Sequence, residues 1–317
     1  MSGATACAEL IEDRGAAATG EEFFRSAQFL EAEGVTHSLR IAADGIDLLA
    51  PLIVGEIEGT EDRDAISPYG YPGLVEGSRG GVPTPPALDP ESIDFSATGL
   101  VTIFLRHTLD QPPLRGASER NVVQIADPAR PPKSRGSDRN QINKNLRNGY
   151  GLSLVPGPET SAPQRAGFLA AYEQTMRRTG ASERYFFGAV YFDRILEFRR
   201  SWLALAHAPD GELAAASIAV VSDGYLHYYL SGSADSHLRD SPMKNVVASL
   251  VELSAELGLP LNLGGGISRG DRLEEFKRGF ANRELPWQSS EIVADPSAYA
   301  RLSAGRDAGD FFPAYRV

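Results

Sequence analysis

Lys277 lies between Phe276 and Phe280, a short way beyond the run Gly264-Gly265-Gly266. A lysine on a short helix is ordinarily a solvated charge. Two flanking phenylalanines, however, would hold that helix against the protein. A cation fixed in this way could stabilise the oxyanion of a tetrahedral intermediate. The three glycines allow a turn at a strand end, or a close approach of backbone to a bound acyl group. A second candidate is Ser67-Pro68-Tyr69-Gly70-Tyr71-Pro72-Gly73. Its glycines permit tight turns, with Tyr69 and Tyr71 filling a surface notch. The same residues could instead form a stiff aromatic wall, with proline limiting loop entropy and tyrosine offering both ring face and hydroxyl.

Several other chemistries are absent from the pattern. The five histidines, His37, His107, His207, His227 and His237, show no metal-ligand spacing and no serine triad order. No Walker loop or dinucleotide fingerprint is present, and no metal is expected. The single Cys7 excludes a disulfide framework, a cysteine-rich zinc site and a redox pair. A covalent nucleophile is not required, because a positioned, deprotonated amine can attack an activated ester directly.

Charge sharpens the choice. The chain carries 31 Lys and Arg against 42 Asp and Glu, a net charge of −11, which argues against a general nucleic-acid coat. Arg130, Lys133, Arg135, Arg139, Lys144 and Arg147, with Asp138 as the one anion between them, nonetheless give a local charge of +5. That strip reads either as a solvated linker and helix or as a phosphate-backbone contact.

The elements that must position these residues follow from periodicity. Length alone, at 317 residues, favours two domains. The first ~18 residues are small and polar and read as frayed. Gly20–Glu33 reads as one helix with Phe23, Phe24, Ala27, Phe29 and Leu30 on its apolar face. His37–Ala42 and Ile46–Glu58 form a hairpin about Asp44-Gly45. In Ile66–Pro90, 11 residues are Gly or Pro, which excludes a regular element. Leu100–Arg106 and Asn121–Ile125 read as strands and Gly136–Asn148 as a helix. Beyond them come a strand at Leu152–Val155, helices at Gln164–Arg178 and Val190–Phe198, and strands at Trp202–Ala208, Leu213–Val221 and Tyr225–Leu230. Ser241–Leu257 is a helix with Ser241 as N-cap, Pro242 at N1 and Gly258 past its end. Leu259–Leu263 is a short buried strand. This order is neither a doubly wound sheet nor a sandwich.

Four segments together resemble a known family. They are Asp64 to Gly73, Arg139 to Asn145 with Gly149, Tyr172 to Met176 through Tyr185-Phe186-Phe187 to Tyr191-Phe192, and His227 to Gly232 followed by Leu263 to Gly266 and Phe276 to Phe280. In order and spacing they are similar to the Fem family of aminoacyl and peptidyl transferases, within the GNAT acyltransferase superfamily. The resemblance runs from about residue 20 to 285 and fits compact members without a coiled-coil arm.

It implies a mixed α/β (α+β) fold of two tandem GNAT-like domains, each a largely antiparallel sheet flanked by helices. These would be residues 1–135 with 286–317, and residues 136–285. It implies that Lys277, with Phe276, lies at the catalytic cleft near a phosphate and the reacting carbonyl. Tyr69, Tyr71 and Gly264 to Gly266 would line the substrate. One of Tyr228 and Tyr229, on opposite faces of a strand, would face the cleft and the other the core. Arg184 falls loosely where the family holds an acceptor's diphosphate, and Arg106 is similarly placed, although a surface cation is an equal reading. Arg139 and Lys144 would make either tRNA contacts or salt bridges.

The stretch Ala234–Lys244 has no glycine and contains Pro242, unlike the loop that cradles coenzyme A pyrophosphate in acyl-CoA enzymes. The leading expectation is therefore transfer of an aminoacyl group from aminoacyl-tRNA to an amine, in a peptidoglycan precursor or a peptide or nucleoside product. No cofactor is then needed beyond the tRNA co-substrate, and no DNA. Acyl-CoA-dependent N-acyl transfer on the same fold is the first alternative, and a non-catalytic GNAT-like binding module is the second. Glu9, Glu12 and Asp13 near the start are unlike a secretory leader, and no apolar run approaches a membrane span. A cytoplasmic address is expected.

Overall fold

The computed structural model describes residues 6–18, 20–43, 45–77, 88–109 and 114–317. The chain forms two compact units. One comprises Met1–Gly20, Phe24–Arg120 and Trp287–Val317, and the other Glu21–Phe23 and Asn121–Pro286.

The first unit begins with a strand where fraying was expected. β1 (Ala6–Ile11) buries Ala6 and Ala8 and exposes Cys7 and Glu9. This period-two pattern is stabilised by an antiparallel partner, β2 (His37–Ala43). The expected helix over Gly20–Glu33 is also divided. A 3-10 turn at Phe23–Arg25 precedes α1 (Ala27–Ala32), whose N-cap Ser26 accepts a hydrogen bond from the Phe29 amide. The cap fixes an extended residue where a continuous helix would need a helical one.

β2 and β3 (Ile46–Glu56) form the expected hairpin. Gly45 adopts φ +74°, while Asp44 lies outside the described residues. β4 (Arg63–Ile66) follows. A two-residue strand, β5 (Val75–Glu76), pairs with β3 inside the stretch expected to hold no regular element. Residues 78–87 of that stretch lie outside the described residues. β6 (Ile93–Asp94) and β7 (Thr102–Arg106) complete this part. The core beneath gathers Leu39, Ile41, Leu48, Leu52, Ile103 and Leu105.

β8 (Ser118–Ala126) leads into the second unit. The expected helices appear as α2 (Gly136–Arg147), α3 (Ala162–Thr179) and α4 (Ala189–Leu196). β9 (Gly151–Pro156) stands between α2 and α3. α3 has a capping box of Ser161 with Gln164 and ends at Gly180 with φ 62°. β10 (Ser201–His207), β11 (Leu213–Ser222) and β12 (Tyr225–Ser233) are antiparallel neighbours. Gly232 lets α3 lie directly on β12, since a Cβ there would collide with the Ala171–Tyr172 backbone.

α5 (Met243–Leu257) packs Val246, Val247, Leu250 and Leu253 against this sheet and ends at Gly258 with φ 66°. Its start differs from expectation. Ser241 is left-handed at φ 48° and closes a 3-10 turn over Asp235–Asp240, and Pro242 takes the cap position. A left-handed residue cannot aim its hydroxyl at the first free amides in the usual N-cap manner, which needs extended φ and ψ. β13 (Leu261–Asn262) is parallel to β12 and antiparallel to β8. The spatial order within this unit is β8, β13, β12, β11, β10, β9. α6 (Arg272–Arg278) carries Lys277.

β14 (Arg283–Val293) and α7 (Pro296–Ser303) close the chain. Ser289 to Val293 of β14 run antiparallel to β7, so the first unit's order is β6, β1, β2, β3, β4, β7, β14. Near the C-terminus Arg316 donates to both oxygens of Asp64, at 2.6 and 3.0 Å, and the Tyr315 hydroxyl donates to the same carboxylate. The fold class is the expected mixed α/β one.

Candidate active site

α6 is only seven residues long and is held by its caps. Asp271 at the N-cap accepts the amides of Glu274, Ile267 and Ser268 at 2.7–3.0 Å. Phe276 packs edge-on against Phe280, centroids 5.6 Å apart, and Phe280 lies in the apolar core under α5. The phenylalanines hold the helix down as their spacing suggested. Lys277 is consequently not a solvated charge but is 8% exposed. Its Nζ donates to the Gly265 carbonyl at 2.6 Å. Burial pushes the ammonium pKa down to about 8, against a smaller upward pull from Asp271. Lys277 thus remains mainly cationic at neutral pH, with its charge poorly solvated.

The glycine turn is pinned by its neighbours. The Gly264 amide donates to Asn262 Oδ1 at 2.8 Å, and its carbonyl accepts from the Gln124 amide at 3.1 Å. The Gly266 carbonyl accepts from Asn121 Nδ2 at 2.8 Å. Gly264 adopts φ +74°, and a Cβ there would stand 3.1 Å from Lys277 Nζ. A Cβ on Gly265 would reach 2.6 Å from Asn121 Nδ2, and one on Gly266 would collide with Asp271. The crowding that demands glycine therefore comes from this chain's own residues. Its product is a Gly265 carbonyl aimed at the lysine.

β12 carries the two tyrosines. Ile218 pairs with Leu230 and Ala219 with Tyr228, which leaves Tyr229 as the extra residue of a bulge. Strict alternation therefore fails at this point. Tyr228 packs against the core under α5 and donates its hydroxyl to Ser231 at 2.6 Å. Burial pushes its pKa up to about 12. Tyr229 shares a 2.6 Å hydrogen bond with the Tyr191 hydroxyl and packs edge-on against Phe23. Arg184 is exposed, 4.8 Å over the ring of its neighbour Tyr185.

The first unit gathers a different set. The Arg106 guanidinium lies 5.8 Å from the Tyr69 ring, 5.5 Å from Phe104 and 5.6 Å from Trp287. Tyr71 packs edge-on against both Phe24 and Trp287. Gly70, at φ +102°, leaves room for the Phe24 ring. Tyr69, Tyr71 and Arg106 are thus one aromatic-cation cluster, completed by Trp287 from far along the chain.

α2 presents the basic strip. Its buried Asp138 pairs with Lys244 at 2.9 Å and sits where a Cβ on Gly279 would be, which ties α2 to α5 and α6. Arg130 faces Asp127, and Arg135 faces Glu275 at 3.5 Å. Arg139 and Lys144 are exposed and have no ion pair among the described residues. Arg139 instead donates to the Ser134 carbonyl.

The β12–α5 connection is bound to the same helix. The Asp240 carbonyl accepts from Gln141 at 3.0 Å and from Asn145 at 2.8 Å. The 3-10 turn, the left-handed Ser241 and Pro242 occupy the place where a run of free amides would be needed to cradle a pyrophosphate.

Sequence reading missed Asn121, Asn262 and His227 as supports of the turn. Asn262 follows a short apolar run and carries no local signature. His227 appears in a quoted segment without a role. The reading also missed that Asp210, Glu212 and His237 bring ligand-type atoms within 4.8 Å of one another. His237 faces Glu212 at 3.3 Å and Tyr150 at 3.4 Å.

Comparison with known proteins bears on the fold. Residues 132–278 match the family model of the acetyltransferase (GNAT) domain. No curated protein sequence matches the chain. Among solved structures, the crystal structure of FemX superposes with a TM-score of 0.61 at 10% identity, covering 92% of this chain and 97% of that one. The C-terminal domain (DUF2156) of a putative lysylphosphatidylglycerol synthetase from Agrobacterium fabrum does so with a TM-score of 0.57 at 15% identity, covering 90% and 93%. At these identities the likeness is one of fold. The chain has a Fem-like, GNAT-type acyltransferase fold.

Proposed function

We propose that this protein transfers an aminoacyl group from aminoacyl-tRNA to an amine, forming an amide. The observation that carries the reading is Lys277, a nearly buried ammonium held at 2.6 Å on the Gly265 carbonyl. One of its three N–H bonds is used there. The others are available to an oxyanion that develops beside it.

In the reaction the acceptor nitrogen attacks the ester carbonyl, and the C–N bond forms as the carbonyl oxygen becomes negative. Lys277 stabilises that charge in a poorly hydrated setting, where such a contact is strongest. Collapse breaks the C–O bond to the terminal ribose, and the proton lost by the amine ends on the ribose hydroxyl. The activated ester supplies the driving force. Phe276 fixes the helix, and in the first unit the cluster of Tyr69, Tyr71 and Arg106 offers ring faces and a cation of the kind that suits an anionic group. Tyr229 and Arg184 are the remaining proposed binding residues, Tyr228 having taken the core position.

The tRNA donor is supported by two observations. The β12–α5 connection lacks a glycine cradle for coenzyme A, and Arg139 and Lys144 stand exposed on α2. The acceptor is an amine-bearing small molecule or peptide, such as a peptidoglycan precursor or a peptide or nucleoside product.

A second reading, an acyl-CoA donor, is favoured by the acetyltransferase domain match over 132–278. The two separate in one experiment. The protein is incubated with total charged tRNA or with an acyl-CoA mixture, each with a set of amines, with and without RNase. Product that disappears on RNase treatment supports aminoacyl-tRNA. RNase-insensitive product with stoichiometric thiol release establishes the CoA reading.

A further inference from the structure

We propose that Asn262 and His227 are positioning residues for Lys277, acting through the glycine turn to hold the Gly265 carbonyl against the ammonium. The proposal rests on Lys277 being the working cation of the site. It adds the device that sets where that cation stands and how strongly it holds its proton.

The chain of contacts is continuous and buried. His227 Nε2 lies 3.1 Å from the Ser222 carbonyl, which can only accept, so the ring proton sits on Nε2. Nδ1 must then accept, and Asn262 Nδ2 donates to it at 3.1 Å. This fixes the orientation of the Asn262 amide. Its Oδ1 accordingly faces the turn and accepts the Gly264 amide at 2.8 Å. Gly264 is pinned at one end and Gly266 by Asn121 at the other, and between them the Gly265 carbonyl accepts from Lys277 Nζ. Asn262 and His227 are 1% and 2% exposed.

A buried polar chain of this kind is costly unless every member is satisfied, and an apolar pair could fill the same strand positions. The chain ends on a carbonyl that touches the lysine. Burial holds the imidazole neutral, with a pKa near 4, so this orientation persists across the neutral range. The charged groups around the device are Asp271 beside Lys277, Glu274 and Arg278 on the same helix, and Asp223 beside His227.

The test reads the lysine directly. The chain has four lysines, Lys133, Lys144, Lys244 and Lys277, so lysine labelled with 13C at Cε gives four resolvable titrations by NMR. Lys277→Met assigns the one that disappears. In the unmodified protein Lys277 titrates near 8. Asn262→Ala releases the Gly265 carbonyl and lowers that midpoint by about 1 unit, the scale of one hydrogen bond to a charged group. Asn262→Asp alone would set a carboxylate against the accepting Nδ1 of His227 and draw a proton onto the ring, so it is made together with His227→Gln, whose amide can donate to the new carboxylate; this double variant keeps an acceptor for the Gly264 amide, adds a negative charge and raises the midpoint. His227→Leu removes the acceptor of the Asn262 amide and lowers the midpoint, whereas His227→Gln keeps an acceptor and leaves it within a few tenths of a unit; a midpoint unmoved in His227→Leu overturns the role of His227. Lys133, Lys144 and Lys244 do not move in any variant.

A purely structural role for Asn262 would lower melting temperature and leave Lys277 titrating as before. If Asn262→Ala does not fold, the Asn262→Asp, His227→Gln double variant decides alone, and an unmoved midpoint there overturns the proposal. The readout is independent of turnover. A Lys277→Met protein with full transferase activity would remove the catalytic reading while leaving the positioning result intact.

Discussion

Replacing Lys277 with methionine should make the protein more stable while removing its activity. The side chain is buried yet ionisable, and burial lowers its pKa from 10.5 to about 8. A displacement of that size corresponds to about 3 kcal/mol of disfavoured charge in the folded state at ~1.4 kcal/mol per unit. Methionine has similar length, fills the same space and has no charge to desolvate. Against this, the Gly265 carbonyl loses its donor, which costs about 1–2 kcal/mol. The expected net gain at pH 7 is about 1–2 kcal/mol.

The pH dependence has a defined sign. Between pH 8 and 10.5 the unfolded chain binds the lysine proton and the folded chain does not. The unmodified protein therefore gains stability from this group as pH rises through that window. The variant lacks the gain, so its advantage is full below pH 8 and lost by pH 10.5. Urea denaturation of both proteins at pH 7 and pH 10 measures the difference. A variant less stable at pH 7, or a difference that is the same at both pH values, would refute the burial argument. Such a stabilising but inactivating change is the pattern of a group retained for function.

Other outcomes follow from named contacts. Arg139→Glu with Lys144→Glu should weaken tRNA binding and reduce the steepness of its salt dependence by about one per cation removed, with circular dichroism unchanged; an unaltered slope returns the strip to a solvated face. Gly265→Ala should cut activity sharply, because its Cβ would stand 2.6 Å from Asn121 Nδ2 and the turn must move; kinetics like the parent's would show that the turn tolerates displacement. Asp64→Ala should cost about 1–2 kcal/mol, since it removes the carboxylate that accepts from the buried Tyr315 hydroxyl and from the exposed Arg316 guanidinium, and this is measurable by denaturant titration; no measurable cost would mean that the C-terminal residues are held by apolar contacts instead.

The features legible in the sequence are those whose causes are local. The β2–β3 hairpin is set by two apolar runs either side of a glycine at positive φ. α5 is set by its apolar stripe and Gly258. The division at Ser26 was less visible because Phe23, Phe24, Phe29 and Leu30 are all buried and mimic a helical stripe. A single cap contact decides it. β1 opens on the small residues Ala6, Cys7 and Ala8 and becomes a strand through pairing with β2 and β6. Ser241 is a good N-cap by type, but the preceding 3-10 turn puts it in the left-handed region.

The site divides in the same way. Lys277, its flanking phenylalanines and the glycine run were legible because they are close in sequence. The lysine's burial and the pinning of the turn depend on Asn121, Gln124, His227 and Asn262, which only the fold assembles. Trp287 joins Arg106, Tyr69 and Tyr71 for the same reason. The Tyr229 bulge could not be read from alternation, since one inserted residue is what breaks it.

The most direct test of the central claim is single-turnover transfer from purified aminoacyl-tRNA to an amine acceptor, comparing the parent with Lys277→Met. The account predicts RNase-sensitive amide formation without thiol release, and a rate constant lower by about 10²-fold in the variant, the scale of losing one oxyanion donor. Equal rate constants, or a change confined to KM, would contradict it.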